Sequence, residues 1–125
     1  MNVTKSDDIQ RVKQFTLQYL QDTNCALWAI VNNAGFAIPG PFEVVPAELD
    51  FLERDVLFLS PLNIIRAFLP LLPGRQNHHN SHAKTANDGG RIVNLTSSSA
   101  RFVFPECRYG PSKASLSYFT HVLRM

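Results

Sequence analysis

Cysteine is scarce in this sequence, and neither sign of charge dominates it. The 125 residues include only Cys25 and Cys107, which lie far apart and outside any metal-ligand spacing. This usage fits a reducing compartment, or the cytosolic face of a membrane, better than a disulfide scaffold. A formal net charge of +2 is too small to indicate binding to nucleic acid or to a membrane surface.

Long uninterrupted hydrophobic runs are also missing. The longest apolar stretch, Val56–Leu72, is broken by two prolines, an asparagine and an arginine. It therefore predicts a buried helix and not a membrane span. The first five residues, Met-Asn-Val-Thr-Lys, are mostly polar and lead directly into a helical pattern, so we expect no secretory signal before the first motif.

The apolar pattern alternates between helical and strand periods. Helical spacing is found over 7–21, with Ser6 or Asp7 as the expected N-cap, over 47–72, and from 111 to 125. Short apolar runs at 26–31 and 91–95 predict strands that are buried on both faces. The segment 36–46 and the polar segment 73–90 are expected to be loops. The order predicts a βαβα part of a parallel-sheet protein.

A polar cluster directly follows each predicted strand. Asn32-Asn33-Ala34-Gly35 ends the first strand, and Thr96-Ser97-Ser98-Ser99 ends the second. In parallel sheets, ligands bind beyond the carboxyl ends of the strands. The two clusters therefore predict a binding or catalytic site at one edge of the sheet.

Tyr109 and Lys113 are four residues apart, which places both side chains on one face of a helix. A phenol is a poor general base at neutral pH because its reference pKa is about 10. A nearby ammonium group stabilises the phenolate and makes a tyrosine usable in acid–base chemistry. Taken alone, this spacing is weak evidence, since it arises by chance on many helices.

The order of the motifs strengthens the case. ALWAIVNNAG, FLPLL (68–72), RIVNLTSSS and YGPSK follow one another along the chain, and together they resemble the short-chain dehydrogenase/reductase family, with most similarity to its retinol and hydroxysteroid dehydrogenase branch. The resemblance implies an α/β fold, the central portion of a Rossmann-type doubly wound parallel sheet. Residues 1–125 would form a partial NAD(P)-binding domain that carries 73–90 as a polar inserted loop.

The resemblance also implies roles for individual residues. Tyr109 would be the catalytic acid/base, and Lys113 would stabilise its phenolate and hydrogen-bond the nicotinamide ribose. Ser97 would hold the substrate oxygen, with Ser98 as the second choice. Asn33, Ala34 and Gly35 would line the cofactor, NAD or NADP, and Asn32 would tie neighbouring strands together.

Each of these residues also has a purely structural interpretation. The serines could form a turn whose hydroxyl groups bond the backbone, Asn-Ala-Gly could be a simple turn, and Lys113 could be a solvated charge on a helix. The family interpretation is favoured because all three structural ones would have to coincide in the correct order.

The long helix departs from the family pattern. The family places an asparagine of a catalytic tetrad where this chain has Leu57. In the family, the main-chain carbonyl at this position holds a water that is linked to the lysine. Pro61 has no N–H to donate to the carbonyl four residues earlier. We hypothesise that Pro61 frees the Leu57 carbonyl, which an unbroken straight helix over 55–63 would contradict. A degenerate helix is the alternative.

The Gly-rich turn that receives a pyrophosphate is not found in these residues. The expected function is thus that of a fragment of an NAD(P)-dependent oxidoreductase acting on a CH–OH or C=O group of a lipophilic, retinoid- or steroid-like molecule. We expect the isolated chain to be poorly soluble and without measurable turnover. The longer parent protein is expected to be intracellular. Association with the endoplasmic reticulum membrane is a further expectation for it.

Two further hypotheses belong to other functional classes. In the first, the chain is a non-catalytic homologue that pairs with a copy of itself or with a full-length partner through helices 47–72 and 111–125. In the second, His78, His79 and His82 bind a metal. No carboxylate or cysteine completes a ligand set beside these histidines, so no metal site is predicted.

Overall fold

The computed structural model describes residues 1–73, 89–104 and 108–124. Four α-helices are described: α1 (Ser6–Thr23), α2 (Ala47–Arg54), α3 (Ser60–Phe68) and α4 (Tyr109–Val122). A π-helical segment, Asp55–Leu59, joins α2 to α3, and 3₁₀ turns span Leu69–Leu71 and Ser98–Ala100. The strands are β1 (Ala29–Asn32) and β2 (Arg91–Asn94). The predicted element order is confirmed within the described residues.

The two strands are neighbours in one parallel sheet. The Arg91 N–H donates to the Trp28 carbonyl at 2.9 Å, and the Leu95 N–H donates to the Asn32 carbonyl at 3.0 Å. Both partners advance in the same direction along the chain, which is the parallel register. The fold is therefore α/β, with the parallel sheet of a Rossmann-type protein.

The expectation that both faces of the strands are buried is wrong for this chain. Ile30 and Asn32 are buried, whereas Val31 is 59% exposed and Val93 45% exposed. Successive side chains of a strand point to opposite faces, so one face of each strand is covered and the other is open. An apolar run indicates that a strand can be buried on both faces. Burial of the second face also requires another element that packs against it.

The start of α1 also differs from the prediction. The N-cap is Lys5, which makes no side-chain capping bond, and the helix already includes Ser6. The preceding turn is instead closed by Asn2, whose side-chain oxygen accepts the Thr4 N–H at 3.1 Å. The Asn2 N–H donates to the Asp8 carboxylate, and this bond is the main cause that lowers the pKa of Asp8.

Two compact units divide the chain. The first consists of residues 1–31 and 63–93, and the second of residues 32–62 and 94–125. The core of the first unit is formed by Ile9, Ile30, Phe68 and Leu72, with partly buried residues such as Val12 and Ile92 packed against it. Leu72 follows the 3₁₀ turn Leu69–Leu71, and the other residues named lie on α1, β1, α3 and β2. The apolar sides of these helices and strands therefore pack in one cluster.

The predicted loop 73–90 lies largely outside the described residues, as do His78, His79 and His82. Its described ends are joined, because the Gly90 N–H donates to the Pro73 carbonyl at 2.9 Å. Within the described ranges, none of the helices has both the length and the hydropathy needed to cross a membrane.

Leu72 offers a test of the first unit's core. It is 1% exposed, so Leu72→Ala should lower the free energy of unfolding by about 2–5 kcal/mol through lost burial and a residual cavity. Phe15→Ala is the control, since Phe15 on α1 is 70% exposed and its loss should change stability by less than about 0.5 kcal/mol. Urea unfolding followed by circular dichroism measures both. Equal losses would contradict this core.

Candidate active site

All the residues predicted to form the site lie in the second unit. Asn33, Ala34 and Gly35 directly follow β1 and are exposed. Ser97 follows β2 and precedes the 3₁₀ turn at Ser98–Ala100. Tyr109 is the first residue of α4. The parallel register explains this placement, because it brings the carboxyl ends of both strands to the same edge of the sheet.

Lys113 is the most constrained of the predicted residues. Its side chain is on α4 and the residue is only 4% exposed. The ammonium group donates to the Leu95 carbonyl, just after β2, at 2.7 Å. Removal from water lowers the pKa of Lys113 below its ordinary value. The alternative of a solvated helix charge is therefore wrong.

Tyr109 and Lys113 lie on the same side of α4, as their spacing predicts. The Lys113 nitrogen is 5.6 Å from the centroid of the Tyr109 ring, within the range of a cation–π contact. Tyr109 is half-buried. The structure thus places a cation beside a phenol at the start of a helix.

Gly35 brings the first polar cluster to the same place. A Cβ atom added to Gly35 would lie 3.8 Å from the Lys113 nitrogen and 2.9 Å from a methyl carbon of Leu57. The absence of a side chain therefore lets the backbone after β1 approach both residues closely. Whether the cluster is a simple turn or lines a cofactor stays a prediction.

Ser97 is half-buried, and its hydroxyl group is engaged locally. It accepts the Ser99 N–H at 3.2 Å and donates to the Ser99 hydroxyl at 3.2 Å. These are the bonds that the turn interpretation of the serine cluster predicts. Ser98, the second choice, is exposed. The role of Ser97 toward a substrate stays a prediction.

The long helix changes its hydrogen-bond pattern next to the site. The Ser60 N–H donates to the Asp55 carbonyl five residues earlier, and the Ser60 hydroxyl donates to the same oxygen at 2.7 Å. Leu57, in the middle of this π segment, is fully buried. An unbroken α-helix over 55–63 is thus not observed, and the free Leu57 carbonyl stays a prediction. π segments are frequent at functional sites.

Asn32 does tie the neighbouring strands together, as predicted. Its side-chain amide donates to the Asn94 side-chain oxygen at 2.8 Å. The Asn94 amide donates in turn to the Thr120 hydroxyl on α4 at 2.9 Å. The sequence does not reveal this second bond, although Asn94 occupies the same place at the end of β2 as Asn32 does at the end of β1.

Glu53 is a buried carboxylate that the sequence interpretation missed. It is 2% exposed on α2 and accepts the Ile38 N–H, in the loop after Gly35, at 3.1 Å. A signal was present, since Glu53 lies one helical turn before Leu57 and therefore on the buried face. It holds the loop that follows the first polar cluster.

The site combines a half-buried phenol with an ammonium group kept out of water. An ammonium has three donors, and the bond to Leu95 uses one of them. In general, a phenol can exchange a proton with a bound alcohol or carbonyl oxygen, and a nearby cation favours the phenolate form. Among the described residues, no cluster of three histidine, cysteine or acidic side chains could hold a metal ion; Cys107 lies outside them.

The lowered pKa of Lys113 predicts a pH-dependent stability. Between its lowered pKa and its ordinary value of 10.5, the unfolded chain binds more protons than the folded chain, so folding becomes more favourable as pH rises. The free energy of unfolding of the unmodified chain should therefore increase from neutral to alkaline pH, relative to that of Lys113→Met. Urea unfolding at several pH values measures the difference. Lys5→Met, at an exposed position, is the control, and the same pH dependence in both variants would refute the burial of the charge.

Comparison with known proteins shows similarity to short-chain dehydrogenases. A family model described as short chain dehydrogenase matches residues 1–125. Estradiol 17-beta-dehydrogenase 2 of Rattus norvegicus is 33% identical over 128 residues, covering 99% of this chain and 29% of its own length. The 11-beta-hydroxysteroid dehydrogenase type 2 of Bos taurus is 34% identical over 119 residues, covering 94% of this chain and 26% of its own length.

A solved structure is similar to this chain in both fold and sequence. The angucycline C-6 ketoreductase LanV with bound NADP is 27% identical and has a TM-score of 0.77, covering 97% of this chain and 43% of its own. The chain thus spans less than a third of the curated relatives named above and less than half of this structure.

Proposed function

Because the chain belongs to the short-chain dehydrogenase family, we propose that it supplies the catalytic segment of an NAD(P)-dependent oxidoreductase. Its substrate is the CH–OH or C=O group of a lipophilic alcohol or ketone. The observation that carries the proposal is the desolvated Lys113 ammonium beside the Tyr109 ring. Removing a cation from water is costly unless it is paired or hydrogen-bonded. This one donates to the Leu95 carbonyl and lies 5.6 Å from the centroid of the Tyr109 ring.

Tyr109 is the proposed acid/base. In the oxidative direction its phenolate takes the proton of the substrate hydroxyl group, and in the reductive direction its phenol returns that proton to the carbonyl oxygen. Lys113 stabilises the phenolate electrostatically from one helical turn away. Ser97 orients the substrate oxygen once its hydroxyl group is released from Ser99.

A nicotinamide cofactor, NAD or NADP, supplies the acceptor or donor of hydride when it is bound. The residues present suit the part of it that lies next to the reaction. Among the described residues, the Leu95 carbonyl takes one of the three Lys113 donors, and the other two suit the hydroxyl groups of a ribose. Asn33, Ala34 and Gly35 follow β1 and are exposed, and Gly35 lacks a Cβ atom that would come within 2.9 Å of a Leu57 methyl carbon.

A steroid-like substrate is supported by the relatives. Two of them are named for estradiol and for hydroxysteroids, and LanV is a ketoreductase. All three names refer to the oxidation of a steroid or to the reduction of a ketone. The chain covers only part of each, so the substrate class of the whole protein is a proposal.

The test measures formation of reduced nicotinamide from NAD⁺ and from NADP⁺ with estradiol as the alcohol. It uses the protein produced from the natural transcript, beside the isolated 125-residue chain. We expect turnover in the longest product, a loss of about 10²–10⁴-fold in Tyr109→Phe, and a smaller loss in Ser97→Ala. Tyr118→Phe is the matched control, since Tyr118 is 75% exposed on the same helix. Equal activity of Tyr109→Phe and Tyr118→Phe would refute the assignment.

A second candidate function is non-catalytic pairing with a copy of the chain or with a full-length homologue. It is favoured by apolar side chains exposed in the second unit, on α2 and α4: Phe51 (53%), Leu52 (45%), Tyr118 (75%) and Val122 (47%). Such exposure is typical of a surface that is covered by a partner. Co-purification with a full-length homologue that is lost in Phe51→Glu and retained in Tyr109→Phe would support pairing without catalysis.

A further inference from the structure

Arg108 directly precedes Tyr109 and is the N-cap residue of α4, but its side chain does not cap the helix. The side chain extends instead to α2, where its Nε atom is 2.5 Å from the Asp50 carboxylate. Only 16% of the Arg108 side chain and 22% of the Asp50 side chain are exposed. The pair therefore joins two helices that are distant in sequence, in a partly desolvated setting.

The other ion pairs in the described part of the chain are local. Arg54 pairs with the adjacent Asp55, and Arg11 pairs with Asp8 on the same helical turn. Their arginine side chains are 51% and 72% exposed, and exposed pairs of this kind contribute little stability. The Arg108–Asp50 pair differs in both burial and reach.

Arg108 makes a further contact with the loop that follows the first polar cluster. Its guanidinium carbon is 4.5 Å from the centroid of the Phe42 ring, which is a cation–π geometry. Its Nη1 atom is buried and has no hydrogen-bond partner among the described residues. One side chain thus links α2, the loop at Phe42 and the first turn of α4.

The start of α4 also packs against the segment that follows β2. A Cβ atom added to Gly110 would lie 2.9 Å from the Ser99 carbonyl oxygen, so the helix packs against the turn after β2. One turn further, Lys113 bonds the Leu95 carbonyl. The first turn of α4 is therefore fixed between this strand end and α2.

We propose that Arg108, through its pair with Asp50, is a positioning residue that holds the first turn of α4 in place. It keeps the Lys113 ammonium out of water and beside the Tyr109 ring. This inference deepens the proposed function and rests on it for its catalytic meaning. Its geometry can be tested without turnover.

Asp50→Asn separates positioning from simple electrostatics, because the two effects have opposite signs. Loss of a nearby carboxylate alone would lower the pKa of Lys113 further, since the ammonium form loses a favourable partner. Loosening of the first turn would admit water to Lys113 and raise its pKa toward the ordinary value. We expect the rise.

The experiment is a ¹³C NMR titration of the lysine side chains in the full 125-residue chain. The four lysines are Lys5, Lys13, Lys84 and Lys113, and Lys113→Met assigns the Lys113 signal. Asp55→Asn is the matched control, because the carboxylate that it removes is paired with the adjacent Arg54, whereas the Asp50 carboxylate is paired with Arg108. The Lys113 pKa should rise in Asp50→Asn and should not rise in Asp55→Asn.

Arg108→Lys is the second variant. It keeps the positive charge but lacks the planar guanidinium that meets both the carboxylate and the Phe42 ring, so the Lys113 pKa should rise here as well. An unchanged or lower pKa in both folded variants would overturn the proposal, and so would loss of folding in both, because a positioning residue leaves the fold intact. If the pKa rises as expected while the nicotinamide assay shows no turnover, the positioning role stands and the proposed function fails.

Discussion

The placement of the Lys113 ammonium group decides how the rest of the second unit is built. A charged group at 4% exposure needs a fixed partner, which is the Leu95 carbonyl at 2.7 Å. That bond fixes α4 against the end of β2. It also sets the position of Tyr109, one turn earlier. The polar edge of the sheet is thus organised around one desolvated cation.

The side-chain amides of Asn32 and Asn94 also stabilise this arrangement. The bonds from Asn32 to Asn94 and from Asn94 to Thr120 connect β1, β2 and a later turn of α4. Buried amides satisfied in this way favour one register over its neighbours, since a one-residue slip would leave each of them unpaired. Asn32 and Asn94 therefore hold the strand ends whose following residues form the candidate site.

Much of this site could be predicted from the sequence, because its residues stand at places that local rules define. Polar clusters after apolar runs indicate strand ends, and a spacing of four indicates a shared helix face, so Gly35, Tyr109 and Lys113 were expected together. The Arg108–Asp50 pair could not be predicted in the same way. Nothing local distinguishes an arginine that reaches another helix from one in water, because the difference lies in tertiary packing.

The strands and the long helix show the same limit. The runs at 26–31 and 91–95 predict strands correctly, but their periodicity does not reveal that Val31 and Val93 lie on an open face. Pro61 indicates a disturbed helix, and the π segment Asp55–Leu59 lies just before it. Its details depend on Ser60, whose hydroxyl group and N–H both bond the Asp55 carbonyl, and on the burial of Leu57 against Gly35.

The central claim is that Lys113 is a desolvated cation presented to Tyr109. A ¹³C NMR titration of the Lys113 side chain in the unmodified chain tests it most directly. The structure predicts that Lys113 loses its proton below the ordinary lysine value of 10.5, because burial lowers its pKa. Titration of Lys113 at or above that ordinary value would show that the ammonium group is solvated and would contradict this account of the site.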